Sequence, residues 1–238
     1  IDQIYNTLAI KSGVPVAPTN KAFYNPAIEN YRRGFDIDKA RQLLDSLGYT
    51  DNDNDGIREL PDGEDFEFTL TTAVDSQDRV DIASLLKDNM EKVGIKVHLN
   101  LIKGGLVFDK ALAGEFQSMI IAFGNQPDPQ FRKAIWQPGR ALYYWHLSTM
   151  SEDKEPIKEE MYDWEKEVFT CFEEWQVTMD PDKRKEYYDK WQLIYAKKLP
   201  VIFITKGMDL YAVQKNIGNY FINDQGIIVN SSHTVYIK

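Results

Sequence analysis

The stretch Phe35–Gly63, FDIDKARQLLDSLGYTDNDNDGIRELPDG, decides the fold. Asp36 stands where a helix needs an N-cap, because its carboxylate can accept from a free N–H of the first turn. Ile37, Ala40, Leu43, Leu44 and Leu47 recur at helical spacing and mark one apolar face. Gly48 can then end the helix in the left-handed conformation that a residue without Cβ adopts freely. Asp51, Asp53 and Asp55 follow at alternate positions, then Gly56, in an acid-rich turn at the entrance to a βαβ unit.

Working outward, Phe66, Phe68, Leu70 and Thr72 alternate with Glu67, Thr69 and Thr71, as in a half-buried strand. The spacing predicts a helix from about Asp78 to Val93, ended by Gly94, and a strand through Ile95, Val97, Leu99 and Leu101. Strand, helix and strand over this length predict a right-handed parallel βαβ unit. A short helix around Val107–Ala113 leads to the apolar run Met119–Phe123, whose lack of alternation predicts a central strand buried on both faces.

Ile157, Met161, Trp164, Val168, Phe172 and Trp175 keep helical spacing for five turns. Asp180-Pro181 opens a further helix with a cap and a proline at its first position. Its stripe is Tyr187, Tyr188, Trp191, Ile194 and Tyr195. A strand over Val201–Thr205 follows, with Leu210–Val213 as its partner. Residues 1–34, with Pro15, Pro18 and Pro26, read as a connector. The fold class is α/β.

The 238 residues are long enough for a substantial core, and the 43% hydrophobic and 27% charged content excludes wholesale disorder. A formal charge of −9 excludes a phosphate-backbone partner, so no nucleic acid is expected. No apolar stretch approaches the ~20 residues that span a bilayer. The single Cys171 excludes an internal disulfide, and its setting between Phe169 and Phe172 predicts an inert core thiol.

The order of these parts resembles the C-terminal region of the extracellular solute-binding proteins of oligopeptide, dipeptide and nickel ABC transporters (family 5). In that family a helix of the form D-x-x-K-A-x-x-L-L-x-x-x-G-Y precedes a D-G-D-G-I-like turn. Asp36, Lys39, Ala40, Leu43, Leu44, Gly48 and Tyr49 match the first, and Asp53, Asp55, Gly56 and Ile57 the second. Val93-Gly94-Ile95-Lys96-Val97 is similar to its helix-to-strand step and Pro127-Asp128-Pro129 to its D-P turn. Asp180, Arg184 and Leu199-Pro200-Val201-Ile202 fit its last long helix and following strand.

The resemblance implies a type II periplasmic-binding-protein lobe with a mixed, partly parallel sheet flanked by helices. Residues 1–34 would connect from a preceding lobe, 35–217 form the ligand-binding lobe, and 218–238 return as a tail. It also implies a chain that begins within a longer protein, located in the periplasm or outside the cell and lipid-anchored or free. Expected partners are a peptide or similar small solute and the membrane permease of an ABC importer, with the protein a monomer and no enzyme.

Two candidate sites emerge. Asp51, Asp53 and Asp55, the Ile57 carbonyl and Asp62 occupy positions that an EF-hand-type loop uses for calcium, with Asp62 where a longer glutamate is usual. The other reading is an Asx-rich turn without metal. Apart from this structural calcium, no cofactor is expected. The second candidate is the loop after the predicted central strand, Phe123-Gly124-Asn125-Gln126-Pro127-Asp128-Pro129. In peptide-binding relatives an aspartate at the position of Asn125 faces the peptide's ammonium, and the neutral amide here weakens that contact. Asp128 either substitutes for it or caps the loop.

Phe123, Trp136, Tyr143, Tyr144 and Trp145, with His146, lie in or after this loop and offer either ligand-facing aromatic surface or a satellite core. Arg132 and Arg140 offer either a contact for a ligand carboxylate or, the favoured reading, exposed salt bridges. His98 lies on a polar strand face, no two histidines have ligand spacing, and no nucleophile or phosphate-loop motif occurs. The alternatives are a stand-alone hydrolase or carbohydrate-active domain using paired carboxylates, which would need raised acids in one pocket, and an interaction module with an acidic face.

Overall fold

The computed structural model describes residues 4, 9–11, 13–124, 126, 128–207, 212–219 and 236–237. Strand β1 (Ala9–Lys11) is followed by helix α1 (Ile37–Ser46), strand β2 (Glu67–Ala73), helix α2 (Gln77–Glu91) and strand β3 (Lys96–Ile102). Next come helix α3 (Gly104–Ala113), strand β4 (Ser118–Met119) and the short helix α4 (Lys133–Trp136). Helices α5 (Asp163–Val177) and α6 (Pro181–Lys198) precede strands β5 (Thr205–Gly207), β6 (Ile217–Gly218) and β7 (Tyr236–Ile237). The chain divides into two compact units, Arg33–Phe123 and Ile1–Arg32 with Gly124–Lys238.

In Arg33–Phe123, Asp36 caps α1 by accepting from Lys39 N at 2.9 Å, and Gly48 ends the turn at φ +84°. The expected buried face of α1 is only half realised: Leu43 and Leu47 are exposed, and no residue of the helix is fully buried. Polar ties help hold the helix. Arg41 donates through Nε and Nη2 to Lys92 O at 3.1 and 2.6 Å, and Asp45 pairs with Arg58.

Strands β2 and β3 run parallel over their full length, Glu67 opposite Lys96 to Ala73 opposite Ile102, with α2 as the crossover. Leu70, Ala73, Ile82, Ala83, Val97, Val107 and Ala111 are buried in this unit, each large side chain contributing roughly 1.5–3 kcal/mol. The central strand is β2, not the run Met119–Phe123. The sheet order is β3-β2-β4, and β4 keeps only Ser118–Met119 in parallel register at the edge. One more bond, Ile120 N to Thr71 O at 2.9 Å, extends that edge before the chain leaves the sheet. Thr72, on the apolar face as expected, is buried and donates to Ile120 O, and Thr71 on the opposite face is buried as well and accepts from Asn100.

In the other unit α5 packs on α6. Trp175 stacks on Tyr188 at 4.0 Å, and Phe172 meets Trp191 edge-on at 5.2 Å. The five continuous turns expected from Ile157 break into a 3-10 turn, Lys158–Glu160, and then α5. Glu165 forces the restart: its carboxylate accepts from Tyr162 N at 3.0 Å, a back-bond that fixes a helix start there. Asp180 caps α6 as expected, accepting from Asp182 N and Lys183 N with Pro181 at the first turn. The N-terminal segment docks on α6 through Asn25, Gln192 and a small core of Val14, Ile28 and Ala196.

Strand β5 starts at Thr205, later than expected, and pairs antiparallel with β1, Ile10 opposite Lys206. The expected partner Leu210–Val213 lies partly outside the described residues, and Ala212 and Val213 form no strand. Among the described residues no helix is long and apolar enough to cross a membrane.

Candidate functional site

The loop after β4 is organised by Asp128. It caps the 3-10 turn Pro129–Arg132 by accepting from Gln130 N at 2.8 Å. The same oxygen accepts from Tyr188 Oη at 2.5 Å, and Arg184 Nη2 lies 2.8 Å from the other. Burial, then the hydrogen bond to Asp128, pushes the Tyr188 phenol well up. Both Asp128 oxygens thus face α6 and the turn. Phe123 is half-buried, and Asn125 lies outside the described residues.

Trp136, Tyr143 and Tyr144 are buried, and Trp145 is half-buried. Trp136 lies 5.9 Å from Trp145 and 6.4 Å from Trp191, and Tyr143 lies 4.5 Å from Trp145. Tyr195 Oη donates to Trp136 O at 2.7 Å. The cluster is continuous with the α5–α6 core. At its centre is Glu165, 1% exposed, which sequence reading did not single out. Tyr143 Oη donates to Glu165 Oε1 and His146 Nδ1 lies at Glu165 Oε2, each at 2.8 Å. Burial first, then neighbouring Tyr195 and Glu165, pushes the Tyr143 phenol far up. The signal was present, since Glu165 continues the helical stripe Met161, Val168 and Phe172. Glu173, next to Glu174 on α5, joins Lys133, Gln137 and Arg140.

The acidic turn closes on its own backbone. Asp51 accepts from Gly56 N, Asp53 from Asp55 N and Asp55 from Ile57 N. Ligand atoms of Asp51, Asp53 and Glu59 lie within 4.8 Å of one another, whereas Asp62 caps its own turn at Glu64 N. Glu59, another residue missed in the sequence, is buried and accepts from Asn52 N and Nδ2. Of the five expected calcium ligands, this grouping holds two. Nearby, a hollow of about 430 Å³ is lined by Arg41, Asp45, Asp51, Arg58, Glu91 and Lys92, charges of both signs.

Burial pushes the Cys171 thiol up to about 11, consistent with an inert core position. His98, exposed, lies 3.0 Å from Glu67. The hydrogen bond from His98 and then that from Lys96 hold the Glu67 carboxyl below its usual range. Glu59 and Glu165 are the buried carboxylates among the described residues, and they belong to separate units.

A sequence model described as bacterial extracellular solute-binding proteins, family 5 Middle, matches residues 1–141. The oligopeptide-binding protein AppA of Bacillus subtilis (strain 168) is 25% identical over 214 residues, 82% of this chain and 35% of that protein. The periplasmic alpha-galactoside-binding protein of Rhizobium meliloti (strain 1021) is 23% identical over 220 residues, 88% of this chain and 29% of that protein. A solved oligopeptide-binding protein OppA superposes with a TM-score of 0.73 at 21% identity, covering 87% of this chain and 35% of that one. The chain spans about a third of the length of these relatives.

Proposed function

Since the chain belongs to the bacterial extracellular solute-binding proteins of family 5, we propose that it forms part of a protein that captures a short peptide and hands it to an ABC importer. The observation that carries this reading is the family match over residues 1–141, joined to the parallel βαβ unit and the Asp128 loop that follows it. The family match gives the carboxylate-hydrolase alternative no support. The reading includes no catalytic step, a site of action outside the cytoplasmic membrane, a monomer, and a membrane permease as partner.

The mechanism is enclosure. Solute-binding proteins of two lobes bury a ligand by hinge closure, and the closed form is what a permease recognises. Affinity depends on covering the ligand from both sides, so this chain by itself binds weakly. Saturation-transfer NMR suits weak binding, and a mixture of tri- to pentapeptides is the probe. Transfer from the chain to peptide protons supports the reading. Absence of transfer from every peptide, with transfer to an oligosaccharide such as raffinose, keeps the importer and moves the cargo to sugars, as the name of the Rhizobium relative suggests. No transfer to either removes the reading.

A further inference from the structure

The loop Phe123–Lys133 reads FGNQPDPQFRK, and Asp128 is its sole carboxylate. It is the group of this loop with which a cargo ammonium could pair, and it is already engaged. Arg184 Nη2 lies 2.8 Å from Oδ2, while Tyr188 Oη and Gln130 N donate to Oδ1. The same Arg184 nitrogen donates to Tyr188 Oη at 3.2 Å, which joins the two helix residues to each other. The rest of the turn is clamped on α5. Gln130 Oε1 accepts from Trp175 Nε1, and Lys133 Nζ donates to Glu173 and Gln176. Asp128 cannot turn from α6 toward a ligand without leaving three donors unmet.

An arginine grips a carboxylate most strongly through two parallel bonds. Arg184 uses a single nitrogen, and its Nε is buried without a hydrogen-bond partner among the described residues. The pair is therefore not built for greatest strength. It does cancel the Asp128 charge, at a place where the two side chains, 32% and 22% exposed, still border solvent. Left uncompensated, that carboxylate would draw an ammonium through a charge-assisted hydrogen bond, about twice as strong as a neutral one. We infer that Arg184 is a specificity-determining residue: by occupying Asp128 Oδ2 it shields the one carboxylate of the ligand loop, so that cargo is accepted whether or not its amino end is charged. This assignment rests on the solute-binding reading and narrows it, since peptides with a blocked amino end become cargo on the same footing as free ones. Burial, and then the bond to Asp128, pushes the Tyr188 phenol up, so Tyr188 stays a donor that holds the carboxylate against Arg184.

The test compares tri-alanine with its N-acetyl form by saturation-transfer titration, on the natural chain and on variants whose folding is checked by circular dichroism. The quantity read is the ratio of the two dissociation constants. In the natural chain it is expected within about twofold of one, and in Arg184→Gln at least about fivefold in favour of the free peptide. Adding Asp128→Asn to Arg184→Gln abolishes that preference, and Arg184→Lys, which keeps the charge, behaves as the natural chain. Should Arg184→Gln not fold, Arg184→His gives the reading within one protein. Its ratio is near one at about pH 5.5, where the imidazole is charged, and favours the free peptide at about pH 7. The same ratio in the natural chain and in the uncharged variant overturns the assignment and leaves the peptide reading intact. A preference of about fivefold or more for the free peptide in the natural chain overturns it as well. Binding of neither peptide to the natural chain removes the peptide reading itself, and the assignment with it.

Discussion

Arg184 Nη2 lies 2.8 Å from Asp128 Oδ2, tying the loop after the parallel sheet strands to the last long helix. The other Asp128 oxygen accepts from Tyr188 on the same helix and from Gln130 N. An aspartate that the sequence offers as a ligand contact is therefore also the fixed point of its own loop.

Asp128→Ala removes the cap, the ion pair and the Tyr188 acceptor together. The expected loss is about 2–4 kcal/mol of unfolding free energy, since Arg184 is left partly buried and unpaired. Urea denaturation followed by tryptophan fluorescence reads it. A loss under about 0.5 kcal/mol would show that the anchor carries little.

Glu165→Ala strips the acceptor from Tyr143, His146 and Tyr162 N at a position that is 1% exposed. The cost is expected at about 3–5 kcal/mol, against about 1 kcal/mol for His146→Ala, which leaves the carboxylate two of its partners. Thermal melts of the two variants should rank in that order.

Gly48→Ala and Gly94→Ala separate backbone strain from crowding. Both glycines have positive φ, +84° and +79°. A Cβ at Gly48 meets nothing within 4 Å, whereas one at Gly94 comes within 2.9 Å of Arg58 Cγ. Gly48→Ala is expected to cost about 1 kcal/mol. Gly94→Ala costs more, because Arg58 Nε donates to Val93 O and cannot shift freely.

The depressed Lys206 ammonium predicts a pH dependence of stability. Its pKa is 10.5 ordinarily and about 8 in the fold, so between those values the unfolded chain binds the extra proton. Stability due to this residue therefore rises as pH climbs from about 8 to 10.5, and the penalty is full below 8. Lys206→Met should be more stable than the natural chain at pH 7 by about 1–3 kcal/mol, with the gap closing by pH 10.5. A gap constant over that range would contradict the shift.

Much of the fold was legible because it rests on local signals. Asp36, Gly48, Asp180 and Pro181 act within one helical turn of themselves, and β2, α2 and β3 each carry a complete periodic pattern. The strand order was misread because Met119–Phe123 looks like a core strand in isolation. What makes β2 central is its pairing with partners on both sides, which no property of either segment alone encodes. The half-exposed face of α1 was hidden in the same way, since Arg41 finds its acceptor at Lys92 O, far along the chain.

The aromatic residues were identified as a cluster, but their setting depends on Glu165. A carboxylate among aromatics reads as a surface residue until Tyr143 and His146 are brought to it. The same holds for Glu59, which takes the place beside Asp51 and Asp53 that spacing alone gave to Asp62.

The most direct measurement of the solute-binding account is native mass spectrometry of the chain after incubation with a defined pool of short peptides, repeated after denaturation. The account predicts a ladder of adducts at intact peptide masses, released unchanged on unfolding. The bare chain in every spectrum, with the peptides shortened by hydrolysis, would contradict it.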